Sequence, residues 1–148
     1  MARTLGVDYG ERRIGVAISD PLGMIAQPLP TVGRRRGKRP PFVELERIVS
    51  EWQAAALVVG LPLTPEGEES DWTAEVRAFG DRLAERTGLP VHYVDERMTS
   101  ARAERAVRAS GLPKHQREQK ERVDAAAAVL ILQAHLDTVA RRHVTDVS

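Results

Sequence analysis

The feature that most constrains the fold is a glycine-containing hairpin at the start of the chain. An apolar strand ends at Asp8, the chain turns at Gly10, and large apolar residues then recur at alternate positions from Ile14 to Ser19. This two-residue period is typical of paired strands with one buried face. Glycines in the hairpin leave room for another group to approach the backbone. Asp8 is therefore either an ordinary turn residue or a carboxylate that could hold a hard cation against a phosphate.

Two further acidic positions lie in comparable settings. The apolar strand at residues 91–94 leads into Asp95 and Glu96. Because neighbouring side chains on a strand point to opposite faces, only one of these two can share a face with a bound metal. Asp124 begins an apolar helical segment, where an acid is also stabilised by the helix dipole. Each of these acids, taken singly, is explained at least as well by a structural role.

The formal net charge of +1 conceals a segregation of charge along the chain. Residues 44–85 hold ten acidic residues and three arginines, whereas residues 97–122 hold eight basic residues and three acids. A basic tract can be ordinary solvated surface, or it can attract a polyanion. A second basic tract, which we name the basic loop (residues 33–40), contains no acid and five cations: Arg34, Arg35, Arg36, Lys38 and Arg39.

The hydrophobic pattern also predicts the order of the secondary structure. Three consecutive strands followed by alternating helices and strands predict an α/β fold, with a mixed five-stranded sheet of antiparallel and then parallel strands flanked by helices. The carboxyl ends of strands line the ligand crevice in such sheets, so we expect the three acids to meet there. The predicted strands are residues 4–8, 14–19, 26–32, 56–60 and 91–94, and the predicted helices are 41–52, 71–87, 99–110 and 120–142.

Length and composition predict a single domain without covalent cross-links. The 148 residues suffice for one core, which we expect to span residues 1–148 with a C-terminal tail from about residue 137. There is no cysteine, which excludes disulfides and zinc–thiolate sites. No apolar run approaches about 18 residues and no secretory signal is recognisable, so we expect a soluble cytoplasmic protein without membrane contact.

Five segments together resemble the YqgF/RuvX family over nearly the whole chain, from Thr4 to about Leu136. The resemblance implies a ribonuclease H-like fold and a nuclease that resolves Holliday junctions, matures the 5′ end of pre-16S rRNA, or does both. It also implies that Asp8, Glu96 and Asp124 form a catalytic, metal-binding triad. The segments are Gly6–Gly10, Arg13–Ala17, Val59–Pro62, Val94–Ser100 and Asp124–Gln133.

The resemblance thus implies a metal-dependent endonuclease that hydrolyses phosphodiester bonds of structured nucleic acid, either branched DNA or precursor rRNA. Carboxylates suit Mg²⁺ or Mn²⁺, and two ions about 3.5–4 Å apart can activate water and stabilise the leaving oxygen. A homodimer would match the two-fold symmetry of a four-way junction, by analogy with junction-resolving enzymes. The residues expected to bind nucleic acid are the five cations of the basic loop together with Arg97, Lys114, Arg117, Lys120 and Arg122.

Two other classes of function fit parts of the sequence. The glycine hairpin also resembles the first phosphate loop of the ATP-binding actin and sugar-kinase superfamily, but those proteins bind nucleotide between two such domains and this chain has length for one. A nucleic-acid-binding scaffold with inactive acids is the other alternative, and the presence of all three acids argues against it. Nuclease activity with Mg²⁺ or Mn²⁺, measured beside ATP hydrolysis, would separate the three functions.

Overall fold

The computed structural model describes residues 2–34, 39–99 and 117–147, with side chains for residues 2–34, 39–99 and 125–142. Within these ranges five strands form one sheet with helices on both faces, which confirms the predicted α/β class. The strands are β1 (Arg3–Tyr9), β2 (Arg13–Ser19), β3 (Ala26–Gly33), β4 (Ala54–Leu61) and β5 (Val91–Asp95); the helices are α1 (Phe42–Trp52), α2 (Asp71–Thr87) and α3 (Arg117–Val147); a 3₁₀ turn spans Glu96–Met98.

The observed elements follow the predicted ones closely. Helix α2 occupies the predicted range, and each strand is one to three residues longer than predicted. Helix α3 is longer than predicted because residues 117–119 and 143–147 continue it, so that residues 137–147 are helical. The predicted helix at 99–110 lies outside the described residues apart from Thr99, which ends the 3₁₀ turn. None of the helices in the described ranges has the length and apolar character needed to cross a membrane.

The strand order is β3-β2-β1-β4-β5, so β1 lies at the centre of the sheet. β1 pairs antiparallel with β2, and β2 pairs antiparallel with β3. β4 runs parallel to both β1 and β5, which confirms the predicted mixed sheet. The carboxyl ends of β1, β4 and β5 therefore lie at one edge of the sheet, where open α/β sheets bind their ligands.

The two faces of the sheet differ in the size of their side chains. Large apolar residues cover the face under α1 and α2 and pack into the main core. The face under α3 is built from small residues, which allow a helix backbone to come close. On the central strands the large side chains are those of Leu5, Val7, Tyr9, Leu57, Val59 and Leu61, whereas the small-residue face carries Gly6, Ala17 and Gly60 beside the larger Val58.

Helix α3 runs antiparallel to β1 across this small-residue face. The side-chain amide of Gln133 accepts a hydrogen bond from the Ala26 backbone N at 2.9 Å and donates one to the Met24 O at 2.9 Å. These bonds place this part of the helix beside the β2–β3 turn, at the end of the sheet where β1 begins. Gly6, further along β1, meets both Leu132 and Ala128. The helix therefore approaches the carboxyl end of β1 as its residue numbers decrease.

Substitution of Gly6 tests this close contact between α3 and the sheet. A Cβ atom built at Gly6 would lie 2.7 Å from the Leu132 Cβ and 3.3 Å from the Ala128 O, so Gly6→Ala must push α3 away from the sheet. We expect Gly6→Ala to lower the free energy of unfolding by about 1–3 kcal/mol, measured by urea denaturation. Gly33→Ala is the matched control, because a Cβ there meets nothing within 4 Å, and a change within about 0.5 kcal/mol is expected. Equal losses in both variants would contradict the described packing.

Candidate active site at the carboxyl ends of the central strands

Asp8 is a fully buried carboxylate near the end of β1. It lies two residues beyond Gly6, so strand alternation turns both positions toward α3. Its pairing partner on β2 is Gly15, and the β1–β4 register sets it beside Gly60. Because the neighbour on each side is a glycine, neither adjacent strand supplies a side chain at this level of the sheet. The sequence therefore leaves room around Asp8 on the face that α3 covers.

Glu96 is the second buried carboxylate of this region, with 1% of its surface exposed. It is the first residue of the 3₁₀ turn after β5, and its carboxylate extends back over β4. A Cβ atom built at Gly60 would lie 2.6 Å from Glu96 Oε1 and would also meet the Ile131 side chain of α3. Gly60 is the β4 neighbour of Asp8, and adjacent strands are about 4.8 Å apart. Asp8 and Glu96 thus occupy neighbouring positions on one face.

Asp95 faces a different environment from Glu96. Its side chain is partly exposed and forms an ion pair with Arg97, with 2.7 Å between Asp95 Oδ2 and Arg97 Nη2. Asp95 Oδ1 also accepts a hydrogen bond from the Arg97 backbone N at 2.9 Å. The hydrogen bonding of the Arg97 side chain to Asp95 raises the pKa of Arg97 above its ordinary value. The structure therefore separates the two acids: Glu96 lies over Gly60, and Asp95 faces Arg97.

Asp124 lies on α3, but its side chain is outside the described residues. Gly6 meets both Ala128 and Leu132 of α3. Position 124 is one helical turn nearer the N-terminus of α3 than Ala128, and the helix runs toward the carboxyl end of β1 in that direction. The backbone at position 124 therefore lies on the Asp8 side of Gly6.

The described side chains alone do not make up a complete metal site. Among them, no three His, Asp or Glu residues form a group that could hold a metal ion. Asp8 and Glu96 supply two carboxylates, and the third predicted ligand, Asp124, belongs to the stretch of α3 whose side chains are not described. Carboxylate oxygens are the ligands that Mg²⁺ and Mn²⁺ prefer, so the donor type fits the predicted cations.

Arg34, predicted to bind nucleic acid, lies against the β1–β2 hairpin. Its guanidinium carbon is 4.4 Å from the centre of the Tyr9 ring, and its Nη1 donates to the Gly10 O at 3.1 Å. The Arg34 backbone N donates to the Arg12 O at 2.8 Å. Tyr9 stacks on Phe79 at 3.9 Å between ring centres, and burial raises the Tyr9 pKa above its ordinary value. Arg34 thus fixes the hairpin immediately after Asp8.

The other predicted nucleic-acid-binding residues fall into three groups. Arg39 is exposed at the end of the basic loop, and Arg97 is paired with Asp95. Four residues lie outside the described ranges: Arg35, Arg36, Lys38 and Lys114. Three lie on α3 with side chains that are not described: Arg117, Lys120 and Arg122.

Only some of these contacts have a signal in the sequence. The Tyr9–Arg34 stacking joins distant residues, and no local pattern pairs them. The contact of Arg97 with Gly67, in the loop after β4, is equally invisible in the sequence. The acid and arginine that flank Glu96 are two residues apart, and this spacing is the signal that could have indicated a pair. From the sequence, Arg97 is expected to be either a phosphate-binding residue or a solvated charge at a helix end.

The strand order, together with a buried acid on the central strand, defines a ribonuclease H-like α/β protein. The structure of T. thermophilus RuvC in complex with a Holliday junction substrate matches the chain with a TM-score of 0.55 and 13% sequence identity, covering 95% of this chain and 96% of that one. At this identity the match shows the fold alone, and it confirms the predicted ribonuclease H-like fold.

The chain belongs to the RuvX family, described as Holliday junction resolvase, whose profile matches residues 2–138. A Chromobacterium violaceum protein named "Putative pre-16S rRNA nuclease" is 44% identical over 128 residues, which cover 86% of this chain and 92% of the relative. A Lactobacillus delbrueckii subsp. bulgaricus protein of the same name is 41% identical over 140 residues, covering 91% and 96%. The predicted family is confirmed, and these names support a nuclease over the ATP-binding alternative.

The Arg34 contacts predict that this arginine differs from Arg39 in its effect on stability. Arg34→Ser removes the cation–π contact with Tyr9 and the hydrogen bond to Gly10. We expect it to lower the free energy of unfolding by about 0.5–2 kcal/mol, measured by urea denaturation. Arg39→Ser is the control and should leave stability within about 0.5 kcal/mol, because Arg39 is exposed. An unchanged midpoint for Arg34→Ser would show that its contacts with the hairpin contribute nothing.

Proposed function

We propose that this chain is a metal-dependent endonuclease, formed by a single domain spanning residues 1–148, which hydrolyses phosphodiester bonds of structured nucleic acid. The observation that carries the proposal is the pair of buried carboxylates, Asp8 and Glu96, on neighbouring positions of one sheet face. Membership of a family of nucleases supports the same reaction. In that reaction, water adds to phosphorus as the bond to the leaving 3′ oxygen breaks.

The residues of the site fit a divalent cation. Burying one carboxylate beside another is unfavourable, because each lies in a low-dielectric region and carries the same charge, and a cation near both would offset this. The glycine at position 60 leaves the space that Glu96 Oε1 occupies. We propose that Asp8, Glu96 and Asp124 hold Mg²⁺ or Mn²⁺, with two ions in the complete site. The metal would polarise the phosphate and lower the pKa of water.

The basic segments would bind the phosphate backbone on either side of this acidic site. Contacts with phosphate attract any polyanion and carry no sequence information, so recognition would depend on the shape of the substrate. Arg34 and Arg97 are left out of this set, because each is engaged with a neighbouring residue of the fold. The proposed phosphate-binding residues are Arg35, Arg36, Lys38, Arg39, Lys114, Arg117, Lys120 and Arg122.

We propose precursor 16S rRNA as the first substrate to test, because the relatives at 41–44% identity carry that name. The four-way DNA junction is the second, because it appears in the description of the family. A two-fold symmetric junction would favour a homodimer, whereas end processing of an rRNA precursor requires only one active site. A plain duplex serves as the negative control for both substrates.

The triad is tested by removing one charge at a time. Asp8→Asn, Glu96→Gln and Asp124→Asn each change a proposed metal ligand with almost no change in volume. Losing several kcal/mol of transition-state stabilisation corresponds to a fall in cleavage rate of about a thousandfold or more, and we expect this for each variant, measured with Mg²⁺ and with Mn²⁺. Circular dichroism should show an unchanged fold.

The matched control for this test is Asp137→Asn, a change to an exposed acid on the same helix as Asp124. It should cleave at the rate of the unmodified protein. Normal cleavage by two of the three triad variants would rule out the proposed site.

A further inference from the structure

The two residues that flank Glu96 form a bidentate ion pair. Arg97 Nε donates to both carboxylate oxygens of Asp95, at 3.1 and 3.0 Å, and Arg97 Nη2 donates to Oδ2 at 2.7 Å. A guanidinium held by two parallel hydrogen bonds has a fixed orientation, which a single contact would not give it. The orientation of Arg97 is therefore set by Asp95.

Arg97 also reaches the loop between β4 and α2. Its Nη1 donates to the Pro65 O at 3.3 Å. Its guanidinium lies against Gly67, where a built Cβ atom would be 3.0 Å from Nη1 and 3.1 Å from Nη2. Gly67 has a φ of +86°, a conformation that favours glycine. Both the backbone angle and the contact with Arg97 thus disfavour a side chain at this position.

The loop that Arg97 contacts is itself well ordered by hydrogen bonds. The Gly67 N donates to the Thr64 O at 2.8 Å, and the Thr64 N donates to the Glu68 O at 2.9 Å. The hydroxyl of Thr73 in α2 donates to the Pro62 O at 2.7 Å, which joins the start of the loop to the helix. These hydrogen bonds connect the loop to α2, so Arg97 packs against a loop whose conformation is fixed.

The 3₁₀ turn that carries Glu96 is held on both sides of that residue. Before it, Asp95 Oδ1 accepts from the Arg97 N at 2.9 Å. After it, the backbone N and the hydroxyl of Thr99 both donate to the Glu96 O at 3.0 Å. The backbone of Glu96 is therefore held by hydrogen bonds on both sides, and the side-chain pair of Asp95 and Arg97 lies directly beside them.

We infer that Asp95 and Arg97 are positioning residues, which act as one unit to fix the turn of Glu96 against the β4–α2 loop. The inference rests on the proposed function, because Glu96 is the ligand being positioned. It assigns Arg97 to the fold of the site, in place of the phosphate contact that the sequence suggests. Residues that orient a metal ligand typically cost about 10–100-fold in activity or metal affinity when they are lost.

The test is a double-mutant cycle, measured on the cleavage of a fragment of precursor 16S rRNA. We expect Asp95→Ala and Arg97→Ala each to lower kcat by about 10–100-fold, with the double variant no slower than the slower single variant. KM and the slope of log KM against log salt should not change, because no phosphate contact is lost. Gly67→Ala, which displaces the guanidinium of Arg97 without altering charge, should also lower kcat.

Hydrogen exchange provides a second readout that does not depend on activity. Loss of either partner should speed amide exchange in both residues 62–69 and residues 95–99, because the pair joins these segments. Removing one partner of an exposed ion pair elsewhere is the matched control. Arg47→Ala and Glu51→Ala break such a pair on α1, with 3.1 Å between Arg47 Nη1 and Glu51 Oε2, and should change neither exchange in these segments nor kcat.

Three results would overturn the inference. Multiplicative losses of kcat in the double variant would show that the two residues act independently. A raised KM and a salt slope reduced by about 0.7–0.9 for Arg97→Ala, with neither change for Asp95→Ala, would show that Arg97 binds phosphate. Unchanged exchange in both segments would show that the pair does not join them. An unmodified protein that fails to cleave would count against the proposed function, and the exchange data would still decide the inference.

Discussion

The structure depends on the close contact between α3 and the small-residue face of the sheet. Gly6 lets the backbone of α3 approach β1, and Gly60 leaves room for the Glu96 carboxylate beside Ile131. A helix spaced by larger side chains would leave the acids in a wider, hydrated gap. The contact also fixes the path of α3 across β1, so that the part of the helix before Ala128 continues toward the carboxyl end of that strand. The packing of α3 and the geometry of the site therefore both depend on the absence of side chains at Gly6 and Gly60.

The other face of the sheet provides the rigidity that this arrangement requires. Large apolar residues from β1 and β4 pack under α1 and α2, and the stacked rings of Tyr9 and Phe79 continue that core to the end of β1. Arg34 covers the outer side of Tyr9, and the Asp95–Arg97 pair holds the neighbouring turn. Each buried carboxylate thus lies next to a residue whose side chain is fixed from the opposite face. Rigid support of this kind is what a preorganised site needs.

The order of elements could be predicted from the sequence because it depends on local patterns. Alternating apolar residues predict β2, and a capping residue at Ser70 or Asp71 with Gly88 at the other end predicts α2, because both signals lie in or next to the element itself. The choice of Glu96 over Asp95 as the inward-facing acid agrees with the burial of Glu96, although its role as a ligand stays a prediction. The Tyr9–Arg34 and Arg97–Gly67 contacts could not be predicted, since they join segments that only the folded sheet brings together.

In the proposed site, Asp8 and Glu96 share one divalent cation on the face covered by α3. The most direct measurement is the anomalous difference density of Mn²⁺ in crystals of the protein, compared with crystals of the Asp8→Asn variant. We expect a peak within about 2.5 Å of carboxylate oxygens of both residues, which disappears in the variant. A Mn²⁺ peak at Asp95 in place of this position, or a peak that persists unchanged in Asp8→Asn crystals, would contradict this proposal.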